Sequence, residues 1–222
     1  MNVSTPTLAE QVSVMVENLA AQAPPEALSA FKAEQADLDL AGVPDGVAAP
    51  GTPMPDGELL RADGKPTNLA ELRDGRPAVV VFYRGAWCPY CNVALRTYQA
   101  QLTGPLAERG AVLIAVSPQK PDGSLTMQES NELGYAVVSD PGNQIAGQLG
   151  ILTAPSIETA KAQASLGLDL ATVNADGTNT LLMPTVAIVD AAGILAWIDV
   201  HPNYATRTEP AEILRALAPV IG

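Results

Sequence analysis

An α/β fold with a central mixed sheet flanked by helices is predicted by three observations in the sequence. Short apolar runs alternate with helix-like segments, and one of them, Ala111-Val112-Leu113-Ile114-Ala115-Val116, is continuous and bounded by turn residues, as in a strand buried on both faces of a parallel sheet. Two late runs, 183–189 and 194–198, are joined by Asp190-Ala191-Ala192-Gly193, which makes them a hairpin. Both cysteines, Cys88 and Cys91, lie between the apolar run 78–82 and the helix-like segment 92–102, at a strand-to-helix junction.

The elements follow in order. Thr7-Leu8-Ala9-Glu10 has the form of a capping box opening a helix over 7–22, with Leu8, Val12, Met15, Val16 and Leu19 on one face. Pro24-Pro25 ends it, and Pro25 opens a second helix to about Leu40. These two helices make an N-terminal extension, residues 1–44, whose expected role is packing or a homodimer contact. Pro- and Gly-rich residues 41–55 lead into the main domain, 45–222. A hairpin turning at Asp63-Gly64 and a short helix capped by Asn68 precede the strand 78–83. After the dithiol helix and the buried run come a helical stretch at 124–133, a strand at 135–138, and a short helix to Leu149. Residues 150–180 read as an insertion, either a surface excursion or a lid over the dithiol. A last helix begins near Thr208.

With 222 residues, 47% hydrophobic and 16% charged, the chain can bury a sizeable core without disulfide staples. A formal charge of −12 argues against nucleic acid or an anionic membrane as partner. No apolar run approaches the length of a membrane span, and residues 1–23 lack the basic start of a secretory signal, so a cytoplasmic location is expected. There a dithiol is catalytic or sensory.

The chemistry of the pair follows from its place. A thiolate at the first turn of a helix faces unpaired N–H groups and the positive end of the dipole. That marks Cys88 as the nucleophile, expected to be the more exposed and more acidic sulfur. Cys91, one turn on, can attack an oxidised Cys88 and close a small disulfide. Pro89 suits the first turn, and Trp87 is expected to pack over the dithiol. A structural disulfide closing so small a loop would add only about 2 kcal/mol. A zinc site would need two more ligands, and the sequence offers only His201 beyond the pair, so neither a metal nor another cofactor is expected.

Trp87-Cys88-Pro89-Tyr90-Cys91 after a buried strand, with Met183-Pro184-Thr185 opening a later one, resembles the thioredoxin fold. The wider pattern is similar to peroxiredoxin-like proteins of the AhpC/TSA superfamily over about residues 45–220. It comprises Phe82-Tyr83-Arg84-Gly85 before the dithiol, Ser117-Pro118-Gln119, Ser139-Asp140, Asn203-Tyr204 and Arg207-Thr208-Glu209-Pro210. The resemblance implies a peroxidatic Cys88 and a resolving Cys91. It also implies a cis peptide before Pro184 that turns the Met183 backbone toward the site, and an arginine beside the thiolate. Arg84 is the first candidate for that arginine, then Arg207 and Arg96. Where peroxiredoxins place a Thr or Ser three residues before this cysteine and a Pro seven before it, the chain has Gly85 and Val81.

Two enzymatic readings therefore stand. One is a thiol peroxidase for hydrogen peroxide or organic hydroperoxides, recycled by a thioredoxin-like protein or a low-molecular-weight thiol. The other is a thiol-disulfide oxidoreductase attacking disulfides directly. A third is a redox sensor whose N-terminal helices meet a partner. His201, Asp190 and Asp199 are expected to be turn or strand-end residues.

Overall fold

The computed structural model describes residues 6–221, so residues 1–5 of the expected extension and Gly222 lie outside it. Two helices come first, α1 (Leu8–Ala20) and α2 (Pro25–Ala41). The predicted capping box opens α1, with Thr7 Oγ1 accepting from the Glu10 N–H and Glu10 accepting from the Thr7 N–H. The hairpin β1 (Leu59–Arg61) and β2 (Pro66–Thr67), α3 (Leu69–Arg73) and β3 (Ala78–Phe82) lead into the long α4 (Pro89–Glu108). Then follow β4 (Val112–Ser117), α5 (Pro121–Ser130), β5 (Ala136–Ser139) and α6 (Gln144–Gln148). The 150–180 region holds β6 (Leu152–Thr153), α7 (Ile157–Ser165) and α8 (Leu170–Val173), and β7 (Leu181–Leu182) closes it by pairing with β6. The chain ends with the predicted hairpin β8 (Thr185–Val189) and β9 (Leu195–Val200), then α9 (Pro210–Leu217).

The main sheet has seven strands in the order β2-β1-β5-β4-β3-β8-β9. β3, β4 and β5 are parallel to their neighbours in that trio, and the flanking strands run antiparallel. The continuous apolar runs become legible here, because side chains alternate between faces. Val79, Val81, Leu113 and Ala115 pack on one side with α4, α1 and α9. Ala78, Val80, Phe82, Ile114 and Val116 pack on the other, with Leu69 of α3 and Ile145 of α6. Each fully buried aliphatic side chain contributes about 1.5–3 kcal/mol relative to exposure.

Topology brings four segments to one end of the sheet. The parallel β3 and β4 both end there, releasing the dithiol loop and the Ser117-Pro118-Gln119 turn. Antiparallel β8 begins there, since Thr185 lies opposite Phe82. β9 ends there, since Val200 lies opposite Thr185. The carboxyl ends of parallel strands are where α/β sheets place their chemistry.

The N-terminal helices pack within the chain. α1 lies on α4, burying Leu8 and Val12, and its first N–H groups, those of Leu8 and Ala9, both donate to the Glu209 carboxylate at 2.9 Å. α2 packs on α7, where the Glu34 carboxylate accepts from the Ser156 N–H at 2.6 Å. Among the described residues no helix is long and apolar enough to cross a membrane.

Candidate active site

Cys88 is the N-cap residue of α4 and Pro89 its first helical residue, as the sequence places them. The loop before them is held from several directions. The Ala86 N–H donates to Gln119 Oε1 at 2.6 Å, and Asn92 Nδ2 donates to the carbonyls of Ala86 and Cys88 at 2.8 and 2.9 Å. Gly85 has φ +148°, and a Cβ there would stand 2.4 Å from Trp87 Nε1 and 2.8 Å from Gln119 Oε1. The position that holds a hydroxyl residue in typical peroxiredoxins has room here only for glycine.

Both sulfurs are free thiols, and both are buried, Cys88 at 1% exposure and Cys91 at 0%. Cys88 is thus the more exposed by a margin too small to open it to solvent. Two of the three candidate arginines reach the pair, and at Cys88 itself Arg84 acts more strongly than Arg207. Arg207 Nη2 donates to Cys91 Sγ at 3.2 Å, while its Nη1 donates to the carbonyls of Tyr204 and Thr206, both at 2.6 Å. Arg84 is close behind, only 4% exposed. Its guanidinium carbon lies 4.1 Å from the Tyr204 ring centroid and 5.1 Å from that of Trp87, and its Nε has no hydrogen-bond partner among the described residues. Arg96 is exposed on α4.

These charges decide where the negative charge of the dithiol sits. Burial raises a thiol pKa, and at Cys88 burial, the hydrogen bond with Cys91 and the Cys91 charge together push it well up. At Cys91 burial is outweighed by the hydrogen bond from Cys88, by Arg207 and by Arg84, and its thiol is lowered to about 5. The pair thus shares one proton at neutral pH, and Arg207, in contact with Cys91 Sγ, favours the thiolate on that sulfur. The helix dipole favours a charge on Cys88 by up to about 2 kcal/mol, and the Arg207 contact favours one on Cys91. Against the expectation of a more acidic Cys88, the direct arginine contact falls on Cys91.

Met183 and Pro184 lie at the same end of the sheet, but no cis peptide bond occurs among the described residues. The predicted cis bond before Pro184 is absent, and the Met183 backbone is already committed. Its N–H donates to Ile151 O at 2.8 Å and its carbonyl accepts from Thr185 Oγ1 at 2.8 Å, so it presents no free pair to an extended ligand. Met183 and Pro184 instead line a cavity of about 10 Å³, enough for about one water, with Arg84, Tyr204, Glu34 and Leu38.

Tyr204 and α2 complete the cover over this end. The Tyr204 ring meets Tyr90 of the dithiol motif edge to face at 6.1 Å between centroids, and Gln35 Nε2 donates to the Tyr90 hydroxyl at 3.4 Å. The sequence gives Gln119, Asn92 and Tyr204 no chemical role, and points α2 to packing or partner contacts rather than to covering the dithiol. Asp140, in contrast, caps α6 through the N–H groups of Gln144 and Ile145, which makes it structural.

A family model described as the AhpC/TSA family matches residues 50–198. A Mycobacterium tuberculosis relative whose name places it among the peroxiredoxins is 31% identical over 96 residues, 43% of this chain and 60% of the relative. A Haemophilus influenzae relative, similarly named, is 30% identical over 104 residues, 46% of this chain and 64% of the relative. The match thus spans less than two thirds of either relative. Among solved structures, a peroxiredoxin-like protein from Aquifex aeolicus aligns with a TM-score of 0.62 at 16% identity, covering 79% of this chain and 89% of its own. Reduced Prx3 of Vibrio vulnificus in complex with hydrogen peroxide aligns equally well, TM-score 0.62 at 18% identity, covering 77% and 99%. At such identities the structures establish a shared fold.

Proposed function

The chain belongs to the AhpC/TSA family, and from that premise we propose that it is a thiol peroxidase whose oxidant is a small hydroperoxide. The observation that carries the choice is the burial of both sulfurs beside an arginine-stabilised thiolate. A hydroperoxide is small enough to enter a site closed over by Tyr90, Tyr204 and α2. A protein disulfide needs an exposed attacking sulfur, which this site lacks.

In the mechanism, the Cys91 thiolate takes the proton of the neighbouring Cys88 thiol as the Cys88 sulfur attacks the terminal peroxide oxygen. The O–O bond breaks, Cys88 becomes a sulfenic acid, and the departing alkoxide receives the proton from Cys91 and leaves as an alcohol, or as water when the oxidant is hydrogen peroxide. Cys91, again a thiolate, attacks the Cys88 sulfur and expels hydroxide. The sum is one singly ionised dithiol and one hydroperoxide giving a disulfide, an alcohol and hydroxide. Arg207 and Arg84 supply positive charge beside the sulfurs and the departing oxygen. A thioredoxin-like protein or a low-molecular-weight thiol returns the disulfide to the dithiol, and the reading places the chain in a reducing compartment such as the cytoplasm.

Trapping the intermediate tests the assignment. Cys91→Ser treated with one equivalent of peroxide and dimedone should carry the adduct on Cys88, and Cys88→Ser should carry none. An adduct on Cys91 in Cys88→Ser, formed at the wild-type rate, would reverse the two roles.

A further inference from the structure

We propose that Asp199 is a positioning residue that holds Arg207 against Cys91, acting through Thr208 and His201. Arg207 lies on a loop, yet its guanidinium must stay in contact with a sulfur on α4. Asp199 lies on β9, where pairing opposite Val186 fixes its backbone. Its Oδ2 accepts from Thr208 Oγ1 at 2.7 Å and from His201 Nε2 at 2.9 Å. His201 Nδ1 is in turn paired with Thr206 Oγ1 at 2.7 Å. One carboxylate oxygen thereby ties the residues on both sides of Arg207 to the sheet. Tyr98 of α4 adds a second anchor, its hydroxyl donating to Thr208 O at 2.8 Å.

The charge pattern fits positioning rather than ion pairing. No carboxylate pairs with Arg207 among the described residues. The neighbouring acid, Glu209, is committed to the first turn of α1. The guanidinium is left to the sulfur. The hydrogen bond from His201, with that from Thr208 and against burial, lowers the Asp199 carboxyl, so the carboxylate makes these contacts at neutral pH. A neutral amide of the same size can hold its oxygen in the Oδ2 position, but without the charge both hydrogen bonds are weaker.

The sign of the effect separates this role from a bland one. Removing a negative charge near the dithiol favours the thiolate by Coulomb's law alone and lowers its pKa. Loosening Arg207 raises it. The experiment is a thiolate absorbance titration of reduced Asp199→Asn and Thr208→Val, each with its thermal midpoint. An upward shift of about one pH unit is expected for Asp199→Asn. A smaller shift of the same sign is expected for Thr208→Val, with wild-type titration restored in Thr208→Ser and no added shift when Asp199→Asn is placed on Arg207→Met. Unshifted or lowered titrations accompanied only by a lower thermal midpoint would overturn the proposal. Should Asp199→Asn not fold, the Thr208→Val and Thr208→Ser pair carries the same decision. The titration uses no peroxide, so its outcome stands apart from that of the peroxidase reading.

Discussion

Replacing Arg207 by Met keeps an unbranched apolar stem and deletes the cation 3.2 Å from Cys91 Sγ. An opposite charge at this range moves a pKa by roughly 1–3 units, and Arg84 remains nearby, so a rise of about two units is the central expectation. Starting from about 5, the thiolate would then titrate near neutrality, at about 7. At about pH 6 the ionised share would drop from about nine-tenths to about one-tenth, a loss near tenfold in single-turnover rate if the thiolate is the reactive form. Above about pH 8 the two proteins should converge, apart from whatever Arg207 contributes to the departing oxygen. The assay is thiolate absorbance against pH on the reduced protein, paired with rapid-mixing rates at the same pH values. Cys88→Ser and Cys91→Ser serve as controls for which sulfur reports. An unchanged titration in Arg207→Met would refute the reasoning, because the contact would then contribute nothing to the charge on Cys91.

Three other outcomes are expected. In the wild type the single-turnover rate should be level above the Cys91 pKa of about 5 and fall tenfold per pH unit below it, since a depressed thiol pKa keeps the thiolate down to that value and loses it as pH falls through it; a fall centred on the ordinary thiol range, about 8.5, would contradict the assignment. Gly85→Thr, which restores the family's usual hydroxyl, should destabilise the protein by about 1–3 kcal/mol from backbone strain alone, with a further cost from the contact with Trp87 and Gln119, and should not raise the rate; chemical denaturation checks the first part and rapid mixing the second. Glu34→Ala should loosen α2 from Ser156 and speed alkylation of the dithiol by a bulky maleimide several-fold while changing the rate with hydrogen peroxide less than twofold, and equal effects on both reagents would show that α2 does not select by size.

Much of the fold was legible because its signals are local. The strands 78–82 and 112–117 and the hairpin of β8 and β9 are apolar runs with turn residues at their ends, and the caps at Thr7 and Asn68 carry their own chemistry. The 150–180 region yielded less, because the two-residue strands β6 and β7 and the four-residue α8 are too short to show a period. The site divides along the same line. Cys88, Cys91, Pro89 and the helix start are contiguous and were placed correctly. The contact of Arg207 with Cys91 was not, since the sheet delivers that arginine from 116 residues away. The helix dipole is the part of the field that a local reading sees, and it points to the other cysteine. The conformation at Pro184 was likewise inferred by analogy, while the local structure commits the Met183 backbone to Ile151 and Thr185.

The most direct test of the central claim is stopped-flow tryptophan fluorescence of the reduced protein, mixed with hydrogen peroxide and separately with an oxidised thioredoxin or a small disulfide. Trp87, adjacent in sequence to Cys88 and stacked on Arg84, is placed to report oxidation, and Cys88→Ser should abolish the signal. A fast change, first order in peroxide and ending in a Cys88–Cys91 disulfide, is the predicted result. A response to disulfides with none to peroxide would contradict it and make the chain a thiol-disulfide oxidoreductase.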